Sequence, residues 1–289
     1  MDIRNVQRTG DMHYVYLPTS WCKKHNISSD SKVGVMIDAD GSLVLSPQIR
    51  ERKPKSLKLT INETNGEIIH KLLVSCYINP LASFQIDLEK ELDFTKLLEQ
   101  KRLISLESVE FDKKRITYEG SISVSDPNSL LKTMVRKVKN MLIVMTKNYD
   151  AELIGRYEEE IDRLKMLIDK SIISALTYYS PTKLHTIDLY YISLLAKDLE
   201  RMVDHLCLIQ KREAKFLIGV EGVIDKLKDI IDVEASKKVT IQQSVEFARK
   251  VALLKKADSD YNKTRIKAFL ETISEVILDR AVTHSLETK

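Results

Sequence analysis

The 289 residues suffice for two or three domains with a sizeable core, while 30% charged residues and a net charge of only +4 give no global signature of nucleic-acid binding. Cys22, Cys76 and Cys207 are widely spaced with no CxxC, so no disulfide framework is expected. No segment approaches about 18 uncharged apolar residues and the amino terminus lacks the apolar run of a signal peptide, so a soluble, cytoplasmic protein is expected.

YVYLP, KVGVMID and SLVLSP are short runs rich in β-branched residues, and Asp40-Gly41 between the last two signals a hairpin. Between the first two, TSWCKKHN offers Thr19 or Ser20 as the cap of a short helix. The predicted order over residues 1–47 is strand, short helix, strand, turn, strand. The basic, proline-bearing tract over 48–56 reads as a linker. A small α/β domain is expected over 57–125: LKLTINE as strand, GEIIHKLLVSCYI as helix, ASFQIDL as strand, DFTKLLEQKR as helix, and strands through SVEFDKKRITYEGSISVS.

Beyond Pro127 there is one more proline, Pro181, and three glycines, and apolar residues recur at helical spacing, so 126–289 reads as a helical bundle. Ile192, Leu195, Leu199, Met202, Leu206 and Ile209 form one buried stripe. The tract from Thr240 to about His284 has no internal breaker and predicts one long helix or a kinked pair.

About 45 residues cannot enclose a core alone, so the first module is expected to pair with a second copy. Its pattern, with a basic first strand, Gly10, Leu17-Pro18, a short helix and a final hairpin, resembles the SpoVT/AbrB-type swapped-hairpin DNA-binding domain. The resemblance implies an intertwined homodimer on double-stranded DNA, with Arg4 and Arg8 on the first strand and Lys23 and Lys24 on the short helix. Such side chains would contact phosphates, which position a protein without reading sequence. Residues 1–55 hold nine Lys/Arg against six Asp/Glu, so a plain dimerisation module remains open.

In KDLERMVDHL, Glu200 and Asp204 sit one turn apart on the flank of the apolar stripe at about 100° per residue. In YEEEIDRLKMLI, Glu158 and Asp162 likewise each follow a core residue. If the two helices are antiparallel across Ser180-Pro181, four carboxylates could meet, an arrangement that calls for a cation or basic neighbours. Spacing alone favours ordinary ion pairs with Lys165, Lys197 and Arg201.

The two signatures, in this order and about forty residues apart, resemble those of the PhoU family of phosphate-uptake regulators. The resemblance implies three-helix repeats and an iron, zinc or similar ion on Glu158, Asp162, Glu200 and Asp204. With the amino-terminal module, the chain resembles archaeal fused regulators of SpoVT/AbrB and PhoU type. The expected fold is therefore α+β and multidomain: a swapped-hairpin β module, a small α/β domain and a PhoU-like bundle. The expected function is phosphate-linked transcriptional regulation; the alternative is an adaptor that contacts a phosphate transporter or signalling partner and binds no DNA. Only Glu275/Asp279 echoes the second signature farther on. No P-loop, GxGxxG or GxSxG occurs and no enzyme is expected. His185, His205 and Cys207 make poor ligand candidates, and Lys132, Arg136, Lys137 and Lys139 read first as a solvated helix face.

Overall fold

The computed structural model describes residues 3–37, 41–47, 55–91, 109–119, 125–178, 184–209, 213–232, 239–254 and 260–286. The chain separates into two compact units, Met1–Lys53 and Pro54–Lys289.

The first unit holds two hairpins around a short helix. Strands β1 (Gln7–Thr9) and β2 (Met12–Tyr14) pair antiparallel about Gly10, whose φ of +62° is one that L side chains rarely adopt. This hairpin splits the single first strand read from the sequence, and YVYLP is strand only at its start. Helix α1 (Thr19–Lys24) is entered from Pro18 with no side-chain cap, so neither Thr19 nor Ser20 caps it. Strands β3 (Gly34–Ile37) and β4 (Leu43–Ser46) form the expected hairpin; its Asp40 lies outside the described residues, and Gly41 has φ +82°. None of the described residues of this unit is buried.

The second unit begins with β5 (Lys55–Ile61), which takes Lys55 and Ser56 out of the expected linker, whose other residues, 48–54, are not described. Helix α2 (Gly66–Ile78), capped by Asn65 accepting from the Glu67 amide at 2.9 Å, carries the chain to β6 (Leu81–Leu88), parallel to β5. Strands β7 (Val109–Asp112) and β8 (Arg115–Glu119) complete a sheet ordered β5-β6-β8-β7, with β8 antiparallel to both β6 and β7. Alternation on β6 sends Phe84, Ile86 and Leu88 to the face covered by α2, where Ile69, Leu73 and Tyr77 meet them. The expected helix over 93–102 and the strand residues 120–124 lie outside the described residues.

The bundle follows. Helix α3 (Pro127–Lys147) starts with Asp126 accepting from the Ser129 amide and Pro127 in the first turn, where a missing N–H costs nothing. After it come α4 (Ala151–Tyr178), α5 (Thr186–Leu206), α6 (Ala214–Ile231), α7 (Ile241–Ala252) and α8 (Tyr261–Leu286). The tract from Thr240 is thus two helices packed against each other: α7 ends at Leu253, and Asp260 accepts from the Lys263 amide to start α8. Helix α3 packs on α4 and α6, and α5 on α4 and α8, which makes two three-helix halves joined through the α3–α6 and α5–α8 pairs. The stripe from Ile192 to Ile209 is buried throughout.

Two further contacts fix this unit. Asp188, in the first turn of α5 and 6% exposed, accepts from Arg280 Nε and His284 Nε2 of α8, both at 3.0 Å. Lys170 of α4 donates to the Tyr118 hydroxyl at 2.8 Å and lies 4.2 Å from the Tyr77 ring centroid, which ties the bundle to the sheet layer.

Candidate metal centre

The centre is built on α4 and α5. Their core-facing residues, Ile161 and Leu164 on one and Leu199, Met202 and Val203 on the other, are buried, so the residue next to each core position lies on the flank of the seam. That places Asp162 beside Glu200 and Asp204, with one carboxylate oxygen from each within 4.8 Å of the others. Glu158, one turn before Asp162 on α4, falls outside this group. Three of the four sequence candidates therefore come together.

All three acids are half-buried. Like charges this close cost free energy unless a multivalent cation or basic neighbours offset them. The donor set is hard oxygen from three side chains, which suits a divalent or trivalent ion whose remaining positions are filled by water or another ligand.

A cavity of about 330 Å³ opens beside the acids. Asp162 and Lys165 of α4 and Glu200 of α5 line one side; His70, Lys71 and Ser75 of α2 line the other. The residues on α2 carried no signal of this in the sequence, where the helix reads only as a cover for the sheet. Lys165 is turned along its own helix to Asp169, at 2.6 Å.

Other acids and bases have settled roles. Asp198, 8% exposed on α5, has its carboxyl pushed above the usual carboxylate range by burial, against the opposing pull of Arg201 and Lys197. A folded-state pKa raised in this way supports the fold while the group is protonated, and that support is lost as pH rises through it. Asp198→Asn is therefore expected to be more thermostable than wild type at about pH 7 and to converge with it toward about pH 4, a trend read from melting curves across that range. In the basic run of α3, Arg136 pairs with Asp232, Lys137 with Glu160 and Lys139 with Asp225, so these side chains knit the bundle together. His205 bonds Asn262 on α8, His185 precedes α5, and Cys207 packs against the core. Glu275 and Asp279 are on α8, and among the described residues no second group of potential ligands forms there.

In the first unit, Arg4, Arg8, Lys23 and Lys24 are all exposed. Arg8 is drawn into the β1–β2 turn, donating to the Gly10 carbonyl at 2.7 Å and pairing with Asp11 at 3.4 Å, while Lys23 and Lys24 occupy the last turn of α1.

Among the described residues no helix is long and apolar enough to cross a membrane. Residues 129–212 match the family model of the PhoU domain, a segment that contains Asp162, Glu200 and Asp204 and leaves the first unit and the sheet layer outside it. No curated protein and no solved structure matches the chain.

Proposed function

We propose that this chain, whose PhoU domain at 129–212 suggests involvement in phosphate regulation, is a cytoplasmic transcriptional regulator. It acts as a homodimer that contacts double-stranded DNA through Arg4, Arg8, Lys23 and Lys24, and holds an iron or zinc ion in the bundle. The observation that carries the reading is the meeting of Asp162, Glu200 and Asp204 on the two helices of the matched segment. These three side chains would hold the ion, with Glu158 one turn away as an auxiliary acid. When bound, the ion supplies fixed positive charge and open coordination positions. The residues around it supply the framework: α4 and α5 keep the carboxylates in place because their core faces are locked in the bundle.

Support for dimerisation comes from the first unit. It buries none of its described residues, and Ile3, Met12, Ile37 and Leu43 are 86%, 73%, 77% and 67% exposed. A module in that condition gains its core from a second copy, in the intertwined manner implied by the SpoVT/AbrB resemblance. Coupling between ion and DNA then requires only that the ion bind one state of the dimer better than another.

The test is fluorescence anisotropy with a labelled pool of random-sequence duplex DNA, using ion-loaded and ion-stripped protein. Lys23→Ala/Lys24→Ala is expected to weaken binding about tenfold and to flatten the log–log salt slope by about 0.9 for each phosphate no longer neutralised. Unchanged binding in this variant would return the module to dimerisation alone. That outcome favours the adaptor reading, in which the bundle regulates a phosphate transporter or signalling partner; Arg8's engagement within its own turn is the observation on its side.

A further inference from the structure

We infer that the cavity between α2 and the α4–α5 pair is a binding site for a small tetrahedral oxyanion, held between the ion and the wall formed by Lys71 and His70. This deepens the metal reading and rests on it.

The two sides of the cavity differ in charge. One carries the carboxylates of Asp162 and Glu200; the other carries the Lys71 ammonium and the His70 ring, while the Ser75 hydroxyl donates to the Lys71 carbonyl at 2.8 Å. Once an ion engages the carboxylates, their charge is directed to it, and the remaining charged or ring groups around the space are those of Lys71, Lys165 and His70. Lys165 also lines the space, its ammonium paired with Asp169 at 2.6 Å. Three carboxylates leave coordination positions open on an ion that takes six ligands. An ion seated on Asp162 and Glu200 borders the cavity, because those two residues line it. The volume, about 330 Å³, far exceeds what an ion with one or two waters needs, since water occupies about 30 Å³ per molecule.

The ligand chemistry follows from these walls. Hard oxygen is what such an ion accepts, and multiple oxygens around one centre allow some to face the ion while others accept from Lys71 and His70. A tetrahedral oxyanion does both; a halide offers a single centre and cannot span the space. Phosphate oxygens are more basic than those of sulfate and so bind the ion more strongly. Lys71 is the selective element on the wall: it is exposed and its removal leaves the sheet core intact, whereas the neighbouring Ile69 and Leu73 are buried.

The experiment is equilibrium dialysis of radiolabelled inorganic phosphate against the full chain, loaded with Mn²⁺ and freed of excess metal by gel filtration. Wild type, Lys71→Met, His70→Phe and metal-stripped wild type are compared, with metal content measured on each sample and sulfate as competitor. The expected result is phosphate bound in proportion to metal, displaced poorly by sulfate, and weakened at least about tenfold in Lys71→Met with its metal content unchanged. Metal retained without phosphate, or Lys71→Met and His70→Phe both equal to wild type, overturns the oxyanion site and leaves the metal reading standing. Wild type that takes up no metal overturns both.

Discussion

Replacing Asp162 by Asn is expected to reduce the ion content of the purified protein from stoichiometric to background, measured by inductively coupled plasma mass spectrometry after reconstitution with iron or zinc. Asp162 is the sole member of the group from α4, so its loss leaves Glu200 and Asp204, one turn apart on a single helix, as a two-point site. Stability supplies a second readout, the gain each protein makes when metal is added. With free metal at a hundredfold its dissociation constant, wild type gains about 2.7 kcal/mol, or roughly 5–10 °C, and the variant gains almost nothing. If the three acids served only in surface ion pairs, both proteins would ignore the metal and Asp162→Asn would cost no more than about 1 kcal/mol.

The second large effect is structural. Asp188→Ala is expected to destabilise the second unit by about 3–5 kcal/mol, because it leaves the Arg280 guanidinium and the His284 ring in a buried setting without the carboxylate that both address. For a unit of this size the melting temperature should fall by roughly 10 °C, read by calorimetry or circular dichroism. A double-mutant cycle with Arg280→Met separates pair loss from stranded charge. If the penalty is the unpaired guanidinium, Asp188→Ala/Arg280→Met recovers much of the stability; an undiminished loss would assign the effect to Asp188 at the start of α5 instead. Metal content should not change in either variant, since Asp188 lies at the start of α5 and Glu200 toward its far end.

Local periodicity made the bundle legible. The stripe from Ile192 to Ile209 is buried because its spacing leaves one face of α5 to the core, and the same logic put Glu200 and Asp204 together on its flank. Asp162 joins them for a reason that spacing also carries, the residue after Ile161 being on the seam's edge; Glu158 obeys the same spacing but falls outside the group. What sequence could not supply was contact across the chain. His70 and Lys71 face Asp162 only because α2 docks on α4, and nothing within GEIIHKLLVSCYI announces that partner. The β1–β2 hairpin escaped for a different reason: its strands are three residues each, too short for alternation to register, and its turn rests on one glycine with positive φ and on Arg8 reaching back to Gly10. The long tract from Thr240 misled because no proline or glycine marks its break, which is made by the Leu253 end of α7 and the side-chain cap of Asp260.

Met166 sits one turn beyond Asp162 on α4, yet it is 6% exposed within the apolar core of the sheet layer, among residues of α2, β6 and β8. A single stretch of helix therefore carries a carboxylate of the candidate metal centre at one end and a plug in the core of the sheet layer at the other. Protein interiors are close-packed, so a plug does not slide without its neighbours answering. A rotation of α4 about its axis would therefore be felt in the cluster that Met166 shares with Phe84, Ile116 and Tyr118. Met166 also lines the cavity beside the acids, so its methyl group, isotopically labelled, is a local gauge of what enters there and joins that space to the core of the sheet layer.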